Sequence, residues 1–147
     1  MNKIPKDYFV DKYVEFIKKM CIKYGQIPTP FKKLKISDFI KTRNYKVTYK
    51  MWKYQRHHID EMWISGAILA SMKKEYANGL SIVCSNEEHL FLHYLIVCNN
   101  QTSPNDGMLM QTDLPFWDKV VKKMCAENDI IYNKNWTSLL SSFKWNS

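Results

Sequence analysis

Glycine and proline are scarce in this chain, four and five among 147 residues, and no Gly-rich phosphate loop or Walker motif can be traced in it. Nucleotide hydrolysis by a P-loop is therefore excluded, and no Ser- or Cys-based triad signature takes its place. The four cysteines, Cys21, Cys84, Cys98 and Cys125, are scattered and form no CxxC pair. Their spacing argues against a disulfide framework and suits small core residues in a reducing compartment. No apolar run approaches the ~20 residues of a membrane span, and no apolar stretch of a secretory leader stands near the start. A soluble, intracellular protein with no membrane partner is expected. Arginine is nearly absent, with Arg43 and Arg56 alone among 22 basic residues. Lysine-rich positive charge suits phosphate contact better than base readout.

The residues present are 46% hydrophobic and 14% aromatic, enough for a globular core, and the formal net charge is +8. An isoelectric point near 9.3 implies attraction to polyanions, and nucleic acid, DNA first, is the expected partner. The wealth of Lys, Asn, Ile and Tyr with little Gly, Ala or Arg suits an AT-rich coding genome such as that of a phage or an organelle. Phe9, Val10, Tyr13, Phe16, Ile17, Met20 and Tyr24 recur at helical spacing before Gly25, which predicts a helix over 6–24 with a glycine stop. Pro28 and Pro30 then break the chain, and short helices are expected from Thr29-Pro30 and from Ser37-Asp38. From 32 to 53 the chain is most basic. Lys32, Lys33, Lys35, Lys41, Arg43, Lys46, Lys50 and Lys53 alternate there with Phe39, Tyr45, Tyr49 and Trp52, a pattern expected of a surface that tracks a phosphate backbone.

All four histidines fall in two clusters, His57-His58 and His89/His93. Two imidazoles at i and i+4 on a helix share one face and can share one cation. An adjacent pair on an extended segment sends its rings to opposite faces, so one ring can bind a metal while the other touches something else. Ser85-Asn86-Glu87-Glu88 is a capping box that fixes the start of the second cluster's helix. The competing readings are two buried, hydrogen-bonded imidazoles with a structural role, and a structural zinc site in which Cys84 or Cys98 joins His89 and His93.

The stretch Arg56-His57-His58-Ile59, followed by Val83 to Leu95 with its Glu87-Glu88-His89 and His93, resembles the HNH (ββα-metal, His-Me finger) endonucleases, especially those of phage and intron homing enzymes. The resemblance covers roughly residues 54 to 97 and implies a metal-dependent endonuclease that hydrolyses DNA phosphodiester bonds. It implies that His57, His89 and His93 hold one divalent metal ion, Zn, Ni, Mn or Mg, and that His58 is the general base. An all-imidazole set favours a transition metal over Mg. The Gly25-to-Thr29 segment and the residues after it are loosely similar to the small helix-turn-helix repeats that accompany homing endonucleases. The chain also departs from the pattern. Asp60 follows Ile59 where a Pro is usual, and Leu80 stands where the family has a loop-pinning Asn. Asn78, two residues away, is the candidate for that loop-orienting role. The alternative is a catalytically degenerate HNH fold acting as a nucleic-acid-binding or structural subunit of a larger assembly, with protein partners.

The expected architecture is α+β, mostly helical, with a small two-stranded ββα-metal hairpin. Residues 1–53 form a basic helical region with a possible helix-turn-helix part, 54–98 the ββα core with an inserted helix, and 99–147 a helical region packed on that core. Within the core, a strand is expected over 54–59, a helix over 61–76 and a strand over 80–84 after the Asn78-Gly79 turn. Arg56, Lys32, Lys33, Lys35, Arg43, Lys46, Lys50 and Lys53 are the expected phosphate contacts. A long polar loop from Asn99 to Gly107 is expected to be mobile, with a helix from Asp113 to about Ala126 and a last one from Thr137 to near Trp145. Lys18-Lys19-Met20-Cys21 and Lys122-Lys123-Met124-Cys125 repeat one motif, as two amphipathic helices on one core would.

Overall fold

The computed structural model describes residues 4–107 and 113–141. Helix α1, Tyr8–Tyr24, buries Phe9, Tyr13, Phe16, Ile17 and Met20 on one face and ends at Gly25, whose φ of 63° is the left-handed cap that glycine adopts without strain. The chain then runs through β1 (Thr29–Pro30), a 3-10 turn (Ile36–Asp38), β2 (Lys46–Thr48), β3 (Met51–Trp52), β4 (Tyr54–His58) and a second 3-10 turn (Ile59–Met62). Two short helices come next, α2 (Gly66–Ser71) and α3 (Lys73–Asn78), then β5 (Leu80–Ser85), α4 (Asn86–Asn99) and α5 (Leu114–Asn128). The architecture is α+β and mostly helical, as the sequence implies.

At its centre is the ββα unit. Antiparallel β4 and β5 pair with His57 opposite Ile82 and His58 opposite Ser81, and α4 leaves β5 with no intervening loop. Both halves of the capping box form: the Ser85 hydroxyl accepts from the Glu88 amide, and Glu88 accepts from the Ser85 amide. Glu88 also receives Lys23 and the Tyr24 hydroxyl from α1, which hold its carboxyl below the usual range against the effect of burial. Helix α4 is buried on nearly every side, from Glu88 through Val97. An all-round apolar helix is the core of its domain, and α1 and α5 pack on either side of it. The repeated Lys-Lys-Met-Cys motif is thereby explained, since Met20 and Met124 both enter the core. Trp117 donates its indole N–H to the Leu90 carbonyl and stacks edge-on with Trp136. One cluster of buried side chains draws on all three expected segments, from Phe9 to Leu140.

Several expectations are corrected. No helix-turn-helix follows α1: Thr29–Pro30 is an edge strand against Ser81 and Leu80, and Ile36–Asp38 is a single 3-10 turn. The free edge of β5 takes this segment, and the buried Gln26 side chain extends the pairing through both polar atoms of Val83. The central sheet therefore has three strands, in the order β1-β5-β4, and a separate hairpin of β2 and β3 lies beside it. The helix expected over 61–76 is broken into a 3-10 turn and two short helices. Ser65 caps α2 by accepting from the Ala67 amide, and Met72 leaves the helical region between α2 and α3. The 99–107 loop is tied down: Asn105 is buried, accepts from the Ser141 amide and donates to the Leu139 carbonyl. The opening stretch of the expected last helix is a 3-10 turn, Trp136–Leu139; Ser141 is helical, and the remainder, to near Trp145, lies outside the described residues. Among the described residues no helix is long and apolar enough to cross a membrane.

Candidate functional site

Strand geometry turns the adjacent histidines to opposite faces of β4, and α4 brings its i,i+4 pair to the His57 side. The result is a cluster of His57, His89, His93 and Glu61, each offering one ligand atom, all within 4.8 Å of one another. Glu61 comes from the 3-10 turn after β4. His57 Nδ1 lies 3.4 Å from Glu61 Oε2, which is 4.0 Å from His93 Nε2. His93 Nε2 lies 3.2 Å from His89 Nε2. A tetrahedron of metal–nitrogen bonds of about 2.0–2.1 Å has edges of roughly 3.3 Å. The 3.2 Å and 3.4 Å separations are of that size, and the 4.0 Å pair is wider.

Outer partners fix which nitrogen faces inward. Tyr13 donates its hydroxyl to the Ile59 carbonyl at 2.9 Å and so accepts, at 2.6 Å, from the Nε2–H of His57. His57 Nδ1 then carries the lone pair, and it is buried with no hydrogen-bond partner. Gln55 donates its amide to the Trp52 carbonyl, which leaves its oxygen to accept from His89 Nδ1–H at 2.7 Å. His89 Nε2 accordingly points its lone pair into the cluster. Such outer-shell hydrogen bonds are how ligating histidines are oriented and their basicity raised. The orphaned nitrogen, the neutral tautomers and the nearby carboxylate fit a borderline divalent cation.

Electrostatics point the same way. Burial, followed by the positive fields of its histidine neighbours, holds His57 well below the usual imidazole range; burial and His93 do the same to His89. Burial alone brings His93 down to about 4 and pushes Glu61 up, against a backbone hydrogen bond from His58, to about 7. Three imidazoles are thus kept neutral, the form a metal requires. Two glycines make room. A Cβ on Gly66 would collide with the Glu61 carboxylate, and one on Gly107 with the His93 ring.

His58 stands apart from the cluster. Its ring stacks on Phe31, with centroids 4.3 Å apart, and its Nε2–H donates to the Tyr76 carbonyl at 2.8 Å. A carbonyl only accepts, so the neutral ring keeps its lone pair on Nδ1. Burial lowers its pKa, and the Tyr76 hydrogen bond works against that. His58 opens on a cleft of about 710 Å³ that also reaches Glu61, His89 and His93.

The other expected site residues separate. Asn78 is exposed and makes no side-chain hydrogen bond among the described residues; Leu80 is exposed as well. The Tyr76 carbonyl orients His58 instead, and Gly79 permits it, since a Cβ there would sit 3.2 Å from the His58 ring. Asn78 ends α3 on the solvent side, which is why it does not take that role. Arg56 lines the cleft, but its guanidinium lies on the Phe31 ring and donates to the Phe31 and Leu34 carbonyls, which makes it a brace for the 31–34 turn. Lys50 lines the same cleft. Lys32, Lys33, Lys35, Arg43 and Lys46 are exposed, and Lys53 borders a different pocket with Glu87 and Glu88. Neither Cys84 nor Cys98 belongs to the cluster, and all four cysteines are free.

Sequence reasoning missed Glu61, Tyr13, Gln55 and Tyr76. A signal existed only for Glu61, which follows His57 by four residues, the spacing of His89 and His93. Comparison with known proteins finds no matching family model, no similar curated protein and no similar solved structure.

Proposed function

We propose that this chain is a metal-dependent phosphodiesterase of the HNH type, acting on nucleic acid and on DNA first. The observation that carries the reading is the convergence of His57, His89 and His93 from the strand and helix of a ββα unit, with the lone pairs of His57 Nδ1 and His89 Nε2 inward, beside a cleft that His58 also lines. A bound divalent cation would supply charge stabilisation to the phosphate and the leaving oxygen. His57, His89 and His93 would hold it, with Glu61 as a further donor.

His58 then serves as general base. Its Nε2–H is committed to the Tyr76 carbonyl, so Nδ1 is the atom that takes a proton from the attacking water. A lowered pKa keeps that nitrogen unprotonated at neutral pH. Stacking on Phe31 fixes the ring plane. Lys50, at the cleft wall, meets the backbone charge of the substrate.

One observation favours a second reading. Glu61 places a fourth protein donor on the cluster, and closed four-donor sets are the mark of structural metal sites. In that reading the ion holds the 59–62 turn against α4, and the chain is a nucleic-acid-binding or assembly subunit.

Supercoiled plasmid separates the two. Wild-type protein with Mn, Ni, Zn or Mg is expected to nick it, and EDTA to abolish nicking; His58→Ala should lower the rate by about 10²–10⁴-fold with metal binding retained. Metal binding without cleavage of either plasmid or single-stranded DNA under every cation would favour the structural ion.

A further inference from the structure

The hairpin of β2 and β3 is rooted firmly and decorated oddly. Met51 is fully buried beneath it. The Asn44 side chain clamps both the amide and the carbonyl of Tyr54, and the Lys53 amide donates to the Tyr45 carbonyl. Outward, the hairpin and its first flanking residue hold three aromatic side chains in solvent: Tyr45 at 55%, Tyr49 at 79% and Trp52 at 46% exposure. Lysines alternate with them. Lys46 lies 5.4 Å from the Trp52 ring centre and Lys50 5.1 Å from that of Tyr49. Trp52 and Lys50 also line the cleft that contains His58, His89 and His93. An exposed aromatic patch on a braced element marks an interaction surface, and its charge selects a polyanion.

We infer that this hairpin is a base-stacking platform, so that the cleft takes an unpaired nucleic-acid strand rather than an intact duplex. The inference rests on the phosphodiesterase reading for the chemistry in the cleft and names its substrate class. A duplex hides the faces of its bases and offers phosphates and groove edges. Flat rings interleaved with cations match a single strand, whose bases stack on aromatic faces while its phosphates meet lysines. Lysine in place of arginine makes the contact tolerant of sequence. Two-stranded β2/β3 stands outside the main sheet, so its rings lose nothing of the core when a base covers them. Tyr49 at the hairpin tip and Trp52 at the cleft wall set a path from solvent to the histidines.

The test is fluorescence anisotropy of labelled oligonucleotides in EDTA, where cleavage cannot occur and binding alone is read. Full-length protein is expected to bind a single-stranded 16-mer at least tenfold more tightly than the same sequence as a duplex. Trp52→Ala and Tyr49→Ala should each weaken single-strand binding about tenfold and leave duplex binding unchanged. Both rings are exposed, and circular dichroism will confirm that the variants fold. Equal affinity for duplex and single strand would overturn the inference, as would unchanged single-strand binding in both variants. A concentration-dependent dimer abolished by Trp52→Ala would also overturn it, by assigning the patch to a second copy of the chain. Failure to cleave a single-stranded oligonucleotide with every cation, with single-strand binding intact, would count against the phosphodiesterase reading alone.

Discussion

Glu61→Gln is expected to raise the thermal midpoint of the metal-free protein at pH 8 and, at the same time, to weaken its hold on a divalent cation. Burial lifts the Glu61 carboxyl from 4.5 to about 7. Between those values the folded state binds more protons than the unfolded state, so stability falls as pH rises through that window and the full penalty stands above it. A shift of that size corresponds to about 3 kcal/mol. Glutamine keeps the shape without the charge, and its amide can donate to the orphaned Nδ1 of His57, 3.4 Å from the present carboxylate oxygen. For a domain of this size the gain is about 6–12 °C. At pH 4 the carboxyl is protonated in the native state, so the variant should gain little there. Metal affinity moves the other way. Loss of a direct carboxylate donor should cost no less than the roughly 10–100-fold seen on removal of an outer-shell partner. Calorimetric scans at pH 4 and pH 8 with EDTA, followed by competition against a chromophoric chelator, measure both effects. A variant that binds metal like the wild type would remove Glu61 from the ligand set.

The second large effect is stabilisation by the ion itself. Without a cation, four desolvated groups share one pocket and one imidazole nitrogen has no partner. A ligand that binds the native state alone stabilises it by about 4 kcal/mol at a thousand times its dissociation constant, or roughly 8–16 °C here. Zn or Ni is expected to reach that range, and Mg, which prefers oxygen donors, to fall well short. His57→Ala should abolish the shift. Cys98→Ala should leave it intact, because the sulfur lies outside the cluster. Thermal scans of stripped protein with each cation decide it, and a shift that survives His57→Ala would place the ion elsewhere.

Much of the centre was legible because it rests on local signals. The capping box fixes where α4 starts, so the inward direction of His89 and His93 follows from the 3.6-residue period. The opposite faces of His57 and His58 follow from the two-residue period of a strand. The remainder depends on partners distant in sequence. Tyr13 reaches His57 from α1, 44 residues away, and its helical spacing marks it only as core. Glu61 joins the cluster because the chain turns sharply after β4, where the periodicity of 61–76 suggests a continuous helix; Ser65 and Met72 break that helix by cap and backbone geometry. Thr29–Pro30 carries a helix-start signal, yet the free edge of β5 recruits it as a strand, a tertiary choice that local propensity does not encode. The hairpin over 46–52 had a signal in Val47, Thr48, Tyr49 and Trp52, residue types that favour strands, but the interleaved lysines obscured its alternation.

The most direct test of the metal centre is isothermal titration of EDTA-stripped protein with Zn or Ni, beside His57→Ala and His93→Ala. The proposed metal site predicts one ion per chain in the wild type and a loss of affinity of at least 100-fold in each variant, with the fold retained by circular dichroism. Wild-type protein that takes up no ion, or variants that bind as tightly as the wild type, would contradict the assignment of these residues to a metal.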